Sequence, residues 1–364
     1  MTPLGQRIAD LIRQEGPITV ERYWNIALFD RENGYYTTRD PFGRGGDFTT
    51  APEISQMFGE LLGAWALAAW RALGSPSPFV FAEVGPGRGT LMADMLRTVR
   101  RLDANFLKAA EVTLVETSDR LAQLQAERLA PFDLPIRHRR RIEELASLPL
   151  ILVGNELLDA VAIRQFVATL EGWRERRVGL GADAGLVFVE TEAEAAALPF
   201  LERLGQPEPG TVFEASPQRI AIADVVAQRI GRHGGAALLI DYGHARPGFG
   251  DTLQAVREHG FTDPLAEPGL ADITSHVDFA AIAVRMMRAG LSVAPIAEQG
   301  EFLLALGLRE RAQALGRSYP ERQAEVSAAA SRLAGTNENE MGRLFKVLVA
   351  ASSPLPLPPF PLAD

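Results

Sequence analysis

Cysteine is absent from this chain of 364 residues, and histidine occurs only five times. Without cysteine the chain can form no disulfide framework, iron–sulfur cluster, cysteine-ligated zinc site or thiol nucleophile. The histidines contain no HExxH pattern, and no group of metal-ligating residues in the sequence has a recognisable spacing. We therefore expect chemistry that needs neither a thiol nor a metal ion.

An excess of basic charge and long apolar runs are also missing. The 46 Asp and Glu residues outnumber the 37 Lys and Arg residues, giving a formal net charge of −9. This balance argues against non-specific binding to nucleic acid or to an anionic membrane. The longest nearly unbroken apolar run covers only residues 61–70, whereas a spanning helix needs about 20 residues. The N-terminus lacks the apolar core of a secretory signal, so we expect a cytoplasmic, bacterial-type protein without a membrane span.

Short apolar segments alternate with amphipathic ones from residue 79 onward, which predicts an α/β fold with helices on both faces of a parallel sheet. Strands are expected at 79–84, 112–115, 150–153, 236–241 and 345–350, and helices at 91–102, 119–129 and 218–232. We divide the chain into a helical N-terminal cover (1–74), a core (75–350) with a β-rich insertion at about 161–235, and a Pro-rich tail (351–364) that is expected to be extended along the surface or disordered. In the cover, Thr50 and Glu53 have capping-box spacing for a helix that ends near Gly74.

The most informative segment is Glu83-Val84-Gly85-Pro86-Gly87-Arg88-Gly89-Thr90, where a predicted strand ends and a helix begins. Ligands bind at this edge of open α/β sheets, and glycine allows a sharp turn and close approach of the backbone to a ligand. Glu116 ends the next predicted strand, where its carboxylate can accept hydrogen bonds from both hydroxyls of a ribose. The predicted cofactor-binding residues of this region are Glu83, Gly85, Pro86, Gly87, Gly89, Thr90 and Glu116.

Two kinds of nucleotide ligand fit this arrangement, a dinucleotide and S-adenosylmethionine. The dinucleotide pattern G-x-G-x-x-G/A needs a small residue where this chain has Thr90, and the carboxylate of Glu83 would repel a pyrophosphate. S-adenosylmethionine has no phosphate, and its sulfonium and ammonium groups are attracted by a carboxylate. The pattern E-x-G-x-G-x-G, with an acid ending the next strand, therefore favours a methyl-donor site over a nicotinamide dehydrogenase. A glycine-rich turn without a ligand is the structural alternative.

A second group of polar residues follows the predicted strand 150–153. Asn155 offers both an acceptor and a donor, and the carboxylate of Glu156 can bind a guanidinium through two hydrogen bonds. Asp159 lies one turn further along. The residues alone fit two interpretations equally: a substrate site, or a helix start capped by Asn155 and Asp159.

A third candidate is the glycine-rich loop before the helix near residue 50, in which Gly46, Asp47, Thr49 and Thr50 could contact the donor or the substrate. By itself this composition favours a flexible connection to a capped helix. Two weaker signals are the basic run 137–141, for which a solvated face is the simpler explanation, and residues 241–244, which favour a turn over a site rim.

These segments together resemble one family, the MidA-like S-adenosylmethionine-dependent methyltransferases associated with assembly of respiratory complex I. The similar runs extend along nearly the whole chain. They are GDFTTAPEISQMFGELLG (46–63), EVGPGRGTL (83–91), LVE (114–116), GNELLDA (154–160), GWRER (172–176), LLIDYG (238–243), HVDF (276–279), QGEFLLALG (299–307) and MGRLFKVL (341–348).

The resemblance implies a class I methyltransferase fold, Rossmann-like with a mostly parallel seven-stranded sheet, whose helical N-terminal section covers the donor site. It implies that Gly85, Gly87 and Gly89 form the donor loop and that Glu116 binds the ribose. Asn155, Glu156 and Asp159 fall in the family's strand-four motif. Gly46, Asp47, Thr49 and Thr50 fall in its N-terminal motif, which favours a wall of the site over a linker. One departure is the absence of the family's proline from residues 160–162.

Family members methylate arginine nitrogens on a protein, a complex I subunit, so the resemblance implies a protein-arginine methyltransferase. Glu156, helped by Asn155 and Asp159, would then orient the guanidinium. The alternatives are a small-molecule N- or O-methyltransferase and an assembly factor that binds S-adenosylmethionine without turnover. The expected partners are a protein substrate and, as one candidate assembly, a second copy of the chain, but no nucleic acid.

Overall fold

A computed structural model describes residues 2–38, 50–195, 197–205, 207–258, 260–337 and 340–360. Its helices, numbered in chain order, are α1 (Pro3–Glu15), α2 (Val20–Phe29), α3 (Tyr35–Thr38), α4 (Ala51–Ile54), α5 (Gln56–Ala72), α6 (Thr90–Leu102), α7 (Ala104–Ala109), α8 (Asp119–Leu129), α9 (Leu198–Leu201), α10 (Pro217–His233), α11 (Phe279–Arg288), α12 (Gln299–Ala305), α13 (Leu308–Ser318), α14 (Gln323–Ala334) and α15 (Met341–Leu344).

The strands, numbered in the same way, are β1 (Ile18–Thr19), β2 (Phe79–Val84), β3 (Ala110–Val115), β4 (Arg137–Arg139), β5 (Leu150–Asn155), β6 (Arg164–Thr169), β7 (Gly172–Leu180), β8 (Leu186–Glu192), β9 (Val212–Ala215), β10 (Gly235–His244), β11 (Gln254–Arg257), β12 (Gly260–Thr262), β13 (Asp272–Thr274), β14 (Val277–Asp278), β15 (Ser292–Val293), β16 (Ala297–Glu298) and β17 (Phe345–Ala351).

The chain forms two compact units, each built from three chain segments. Unit 1 comprises Met1–Phe48, Asp159–Arg219 and Pro247–His276. Unit 2 comprises Thr49–Leu158, Ile220–Arg246 and Val277–Asp364. This division differs from the predicted regions, because α5 belongs to unit 2 and not to an N-terminal cover. Most of α10 also belongs to unit 2, although it falls within the predicted insertion.

The main sheet of unit 2 has the strand order β15-β17-β10-β5-β2-β3-β4, with the short strands β14 and β16 added beside β10 and β17. Neighbours from β10 to β4 pair in parallel, whereas β17 is antiparallel to both β10 and β15. This mostly parallel order of seven strands confirms the predicted α/β class. The parallel strands place the ends of β2, β3, β5 and β10 along one edge.

Residues along β2 alternate between two apolar clusters of unit 2. Phe79 and Phe81 belong to one cluster with Trp65 of α5, while Val80 belongs to the other with Val226 of α10. Successive side chains of a strand point to opposite faces, so helices cover the sheet on both faces, as predicted. Burial on both faces explains why β2 reads as a continuous apolar run in the sequence.

Unit 1 contains a five-stranded sheet, in the order β1-β7-β6-β9 with β8 beside β7, and a three-stranded sheet in the order β12-β11-β13. Strands β6, β7 and β8 lie where the sequence predicts a β-rich insertion. The helices α1 and α2 supply the buried Ile8 and Trp24 to the apolar core of this unit. Trp24 also donates its indole N–H to the Ala160 carbonyl O at 2.9 Å.

The start of α5 differs from the prediction. Thr50 precedes only the short helix α4 and makes no side-chain capping bond, so the predicted capping box with Glu53 is wrong. Ser55, in extended conformation, separates the two helices, and its hydroxyl accepts a hydrogen bond from the Met57 N–H at 3.2 Å. Ser55 is therefore the N-cap of the long helix α5.

Two further local predictions are corrected. Residues 241–244 form the end of β10 instead of a turn, because Gly243 and His244 pair with β14. The Pro-rich tail contributes to the core, since Leu357 is only 3% exposed and belongs to the same apolar cluster as Trp65. Within the part of the chain that the structure describes, no helix combines the length and the apolar character needed to cross a membrane.

Candidate functional site

The candidate site lies in unit 2, at the edge where the parallel strands end. Val84 of β2 is the register partner of Val115 on β3 and of Gly154 on β5. The residues that follow these three positions are Gly85, Glu116 and Asn155. The register therefore brings the glycine loop, the predicted ribose acid and the strand-four motif to one edge of the sheet.

The loop between β2 and α6 uses glycine for both conformation and space. Gly85, Gly87 and Gly89 have φ values of 67°, 51° and 75°, in the left-handed region that side chains disfavour. A Cβ atom on Gly85 would lie 3.0 Å from Leu157 Cδ1, and one on Gly89 would lie 3.3 Å from Gln125 Cγ. The Pro86 carbonyl accepts a hydrogen bond from the Gly89 N–H at 2.8 Å, which closes the loop.

Glu83 is a buried carboxyl at the end of β2, only 3% exposed. Burial raises its pKa to about 8; a hydrogen bond from the Met92 backbone opposes this shift, and the charge of Glu116 adds to it. Its Oε2 has no hydrogen-bond partner among the described residues. Such an acceptor is costly to bury unless a donor or a cation reaches it.

Glu116 follows β3 and accepts hydrogen bonds through both carboxylate oxygens. Its Oε1 accepts from the Ser118 N–H at 2.7 Å, and its Oε2 accepts from Gln125 Nε2 at 3.1 Å. Burial raises the pKa of Glu116, although these two hydrogen bonds act in the opposite direction. Both oxygens are thus held in place at the end of the strand.

Thr90, at the start of α6, hydrogen-bonds to protein groups. Its hydroxyl donates to Glu53 Oε1 at 2.6 Å and accepts from Arg128 Nη1 at 2.9 Å. Thr50, from the predicted N-terminal motif, lies next to α4, and its carbonyl accepts from the Glu53 N–H at 2.9 Å. Of the other predicted residues in that motif, Gly46, Asp47 and Thr49 lie outside the described residues.

Asn155 and Glu156 are brought together where β5 ends. Asn155 Nδ2 donates to Glu156 Oε1 at 2.9 Å, and the Ala51 N–H donates to the same oxygen at 3.0 Å. Glu156 has a left-handed φ of 50° and its N–H donates to the Ile240 carbonyl. Asn155 is 8% exposed, and its Oδ1 has no hydrogen-bond partner among the described residues.

The helix-capping alternative for this segment is wrong, because residues 156–163 contain no helix and lead into β6. Asp159 is assigned to unit 1, whereas Asn155 and Glu156 are assigned to unit 2. Its Oδ1 accepts a hydrogen bond from the Ala160 N–H at 2.8 Å. A role for Asp159 beside Glu156 stays a prediction.

Sequence reasoning missed two buried residues at this edge. Gln125 of α8 is fully buried and contacts both the glycine loop and Glu116. Asp241 of β10, noted only as part of a turn or rim, is also fully buried and accepts from the Leu158 N–H at 2.8 Å and the Tyr242 N–H at 2.9 Å. The polar character of Gln125 within an amphipathic helix gave no signal, whereas the burial of Asp241 could have been inferred from its place at the end of an apolar strand.

The residues at this edge fit a cationic nucleoside better than a dinucleotide. Two buried acceptors, Glu83 Oε2 and Asn155 Oδ1, lack partners among the described residues, and left-handed glycines occupy three of the loop's five positions, 85–89. A sulfonium or an ammonium group is attracted to such acceptors, whereas a pyrophosphate offers them neither a hydrogen-bond donor nor a positive charge. The described residues contain no group of three or more acids and histidines that could hold a metal ion.

Comparison with known proteins decides the class of ligand. Residues 61–296 match the family described as "Putative S-adenosyl-L-methionine-dependent methyltransferase". The chain belongs to this family. The methyltransferase is also similar to a crystal structure of a COG1565 superfamily member from Burkholderia thailandensis bound to S-adenosyl-homocysteine. That likeness covers 96% of this chain and 91% of the other, with a TM-score of 0.83 and 30% identity. The class I fold and the S-adenosylmethionine cofactor are thereby established.

Two curated relatives extend the comparison. The methyltransferase is 33% identical to "Protein arginine methyltransferase NDUFAF7 homolog, mitochondrial" of Drosophila melanogaster, over 95% of this chain and 84% of the relative. It is 34% identical to "Protein arginine methyltransferase NDUFAF7, mitochondrial" of Homo sapiens, over 86% of this chain and 76% of the relative. Both relatives are named as mitochondrial, and the cytoplasmic location expected for this chain stays a prediction, as does a homodimer.

Proposed function

We propose that this methyltransferase methylates an arginine nitrogen of a protein substrate. The family resemblance implies that this substrate is a subunit of respiratory complex I. The observation that carries the proposal is the pair of Asn155 and Glu156 at the end of β5. A buried amide oxygen without a partner among the described residues stands next to a carboxylate. A guanidinium presents several N–H donors in one plane and suits such a pair. The names of the curated relatives agree with this substrate class.

The donor side of the site follows from the residues that end β2 and β3. We assign the loop of Gly85, Gly87 and Gly89 to the face of the donor and Glu116 to its ribose. When bound, S-adenosylmethionine supplies a methyl group on a cationic sulfur. Glu83 lies close to that loop, and a positive charge beside it would lower its raised pKa and favour its ionised form.

The substrate side works chiefly by orientation. Methyl transfer is an in-line displacement, so the rate depends on aligning the nitrogen, the methyl carbon and the sulfur. Glu156 Oε1 is held by two hydrogen bonds, from Asn155 Nδ2 and the Ala51 N–H, so its carboxylate is oriented before the guanidinium binds. An arginine side chain has a pKa above about 12, and its proton is therefore lost during or after transfer and not before it.

The test is transfer of labelled methyl groups from S-adenosylmethionine to proteins of a lysate that lacks this methyltransferase. We expect the label in methylarginine, and we expect Glu156→Gln to lower kcat/KM by about 10²-fold because a charge-assisted contact to the substrate is lost. Glu143→Gln, an exposed glutamate of the same unit, serves as the control and should retain full activity.

Each other outcome contradicts a stated part of the proposal. Label found only in a small molecule would indicate a metabolite methyltransferase. Binding of S-adenosylhomocysteine without transfer to any protein would indicate an assembly factor. Full activity of Glu156→Gln would remove Glu156 from the substrate site while leaving the methyltransferase class intact.

A further inference from the structure

Gln125 of α8 connects three parts of unit 2 through one buried side chain. Its Nε2 donates to the Gly87 carbonyl O at 2.8 Å and to Glu116 Oε2 at 3.1 Å. Its Oε1 lies 3.1 Å from Nε2 of His138 on β4. Both donors and the acceptor of this amide are therefore engaged, and the side chain is fully buried.

The partners of the amide determine its orientation. Two oxygen atoms, from Gly87 and Glu116, lie on one side, and an imidazole nitrogen lies on the other. Turning the amide over would bring Oε1 against both oxygens, which is unfavourable for each contact. Burial lowers the pKa of His138, so the neutral ring has one N–H, and the contact with Oε1 requires that hydrogen on Nε2.

The backbone of the glycine loop packs directly against this side chain. A Cβ atom on Gly89 would lie 3.3 Å from Gln125 Cγ and 3.5 Å from its Cα. Contacts this short leave little space between the loop and α8. Gln125 thus touches the loop at Gly87 through a hydrogen bond and at Gly89 through packing.

We propose that Gln125 is a positioning residue for the methyl donor. It holds the Glu116 carboxylate in the plane needed to accept from the two ribose hydroxyls, and it holds the Gly87 carbonyl away from the donor face of the loop. Oε1 of Glu116 accepts a hydrogen bond from the Ser118 N–H at 2.7 Å, whereas Oε2 accepts its hydrogen bond from Gln125 Nε2. Without Gln125 the carboxylate loses the side-chain hydrogen bond that Oε2 accepts at 3.1 Å. This inference rests on the proposed assignment of Glu116 to the ribose.

The experiment compares two ligands by calorimetry, S-adenosylhomocysteine and its 2′-deoxy analogue, with the full-length protein. Gln125→Met keeps the length of the side chain and removes its hydrogen bonds. We expect it to weaken S-adenosylhomocysteine binding about tenfold, in the range of a hydrogen bond to a charged group. We also expect the preference for the ribose over the deoxyribose ligand to decrease. Gln123→Met, on the exposed side of the same helix with a bond to Glu127, should bind as the wild type does.

The outcomes separate this inference from the assignment on which it rests. Glu116→Ala should abolish the ribose preference, and an unchanged preference in that variant would overturn the ribose assignment itself. If Glu116→Ala behaves as expected but Gln125→Met keeps the wild-type preference, the positioning role is wrong, even if both ligands bind more weakly through lost packing. If Gln125→Met does not fold, Gln125→Glu replaces it, since that variant can still accept from His138 but cannot donate to Glu116. Unaltered ribose preference in Gln125→Glu would likewise overturn the proposal.

Discussion

Two carboxyl groups, those of Glu83 and Glu116, stand near the ends of adjacent strands, and burial raises the pKa of both. Sequence reasoning treats Glu83 as an ionised group that attracts a cation. In the folded chain its pKa of about 8 makes the neutral acid the main form at pH 7. If Glu83 faces the cationic donor, as we propose, its attraction to that charge requires loss of a proton, and the residue type alone does not reveal this requirement.

The stability of the donor-free protein should depend on pH through Glu83. The pKa is about 8 in the folded chain, against a reference value of 4.5. Because the folded pKa is higher, the stabilising contribution of the protonated group is complete below pH 4.5 and is lost as the pH rises through 8. The free energy of unfolding of the wild type should fall between pH 5 and 8 relative to Glu83→Gln, by on the order of a few kcal/mol. Urea unfolding of both proteins at several pH values measures this difference, and parallel pH curves would contradict the prediction.

Among the elements, the break between α4 and α5 shows how local patterns compete. Thr50 and Glu53 have the spacing of a capping box, yet the Glu53 carboxylate accepts from the Thr90 hydroxyl at 2.6 Å. Ser55 adopts an extended conformation and caps the longer helix instead. A contact made at a distance of 37 residues thus removes the partner on which the local pattern depends.

The two candidate caps should differ in their effect on stability. Ser55→Ala removes the hydrogen bond to the Met57 N–H and should lower the free energy of unfolding by about 1 kcal/mol. Thr50→Ala removes no side-chain capping bond and should change it by less than about 0.5 kcal/mol. Thermal and urea unfolding of the two variants provide the comparison. A larger loss for Thr50→Ala would restore the capping-box interpretation.

At the level of the whole molecule, each unit is assembled from segments that are far apart in the chain. The last described segment illustrates this, because Leu357 packs in the same cluster as residues of α5 and β2. Phe360 adds a ring contact with Phe302, with 6.2 Å between the ring centroids. A segment whose composition resembles a disordered tail is therefore part of the core of unit 2.

Leu357→Ala should destabilise the protein as a core substitution does. The side chain is 3% exposed, so its truncation leaves a cavity and should lower the free energy of unfolding by about 2–3 kcal/mol. Leu170→Ala makes the same chemical change at a position that is 92% exposed, where less than about 0.5 kcal/mol is expected. Equal effects of the two substitutions in urea unfolding would show that the tail is not part of the core.

The sequence by itself determined the features that depend on local pattern. Alternating apolar segments were sufficient for the α/β class, and the predicted range of α8 is the observed one, Asp119–Leu129. The glycines and acids at the end of β2, with Glu116 after β3, indicated a methyl donor because their residue types and strand context are local properties. Such features can be predicted without knowing which distant residues contact them.

Tertiary structure decided the features that depend on distant contacts. The protonation of Glu83 follows from burial, and the roles inferred for Gln125 and His138 follow from neighbours on other elements. The assignment of α5 and of the Pro-rich tail to the core of unit 2 likewise depends on which surfaces meet. These properties arise from burial and from contacts across tens or hundreds of residues, and neither quantity is encoded in the spacing of any single motif.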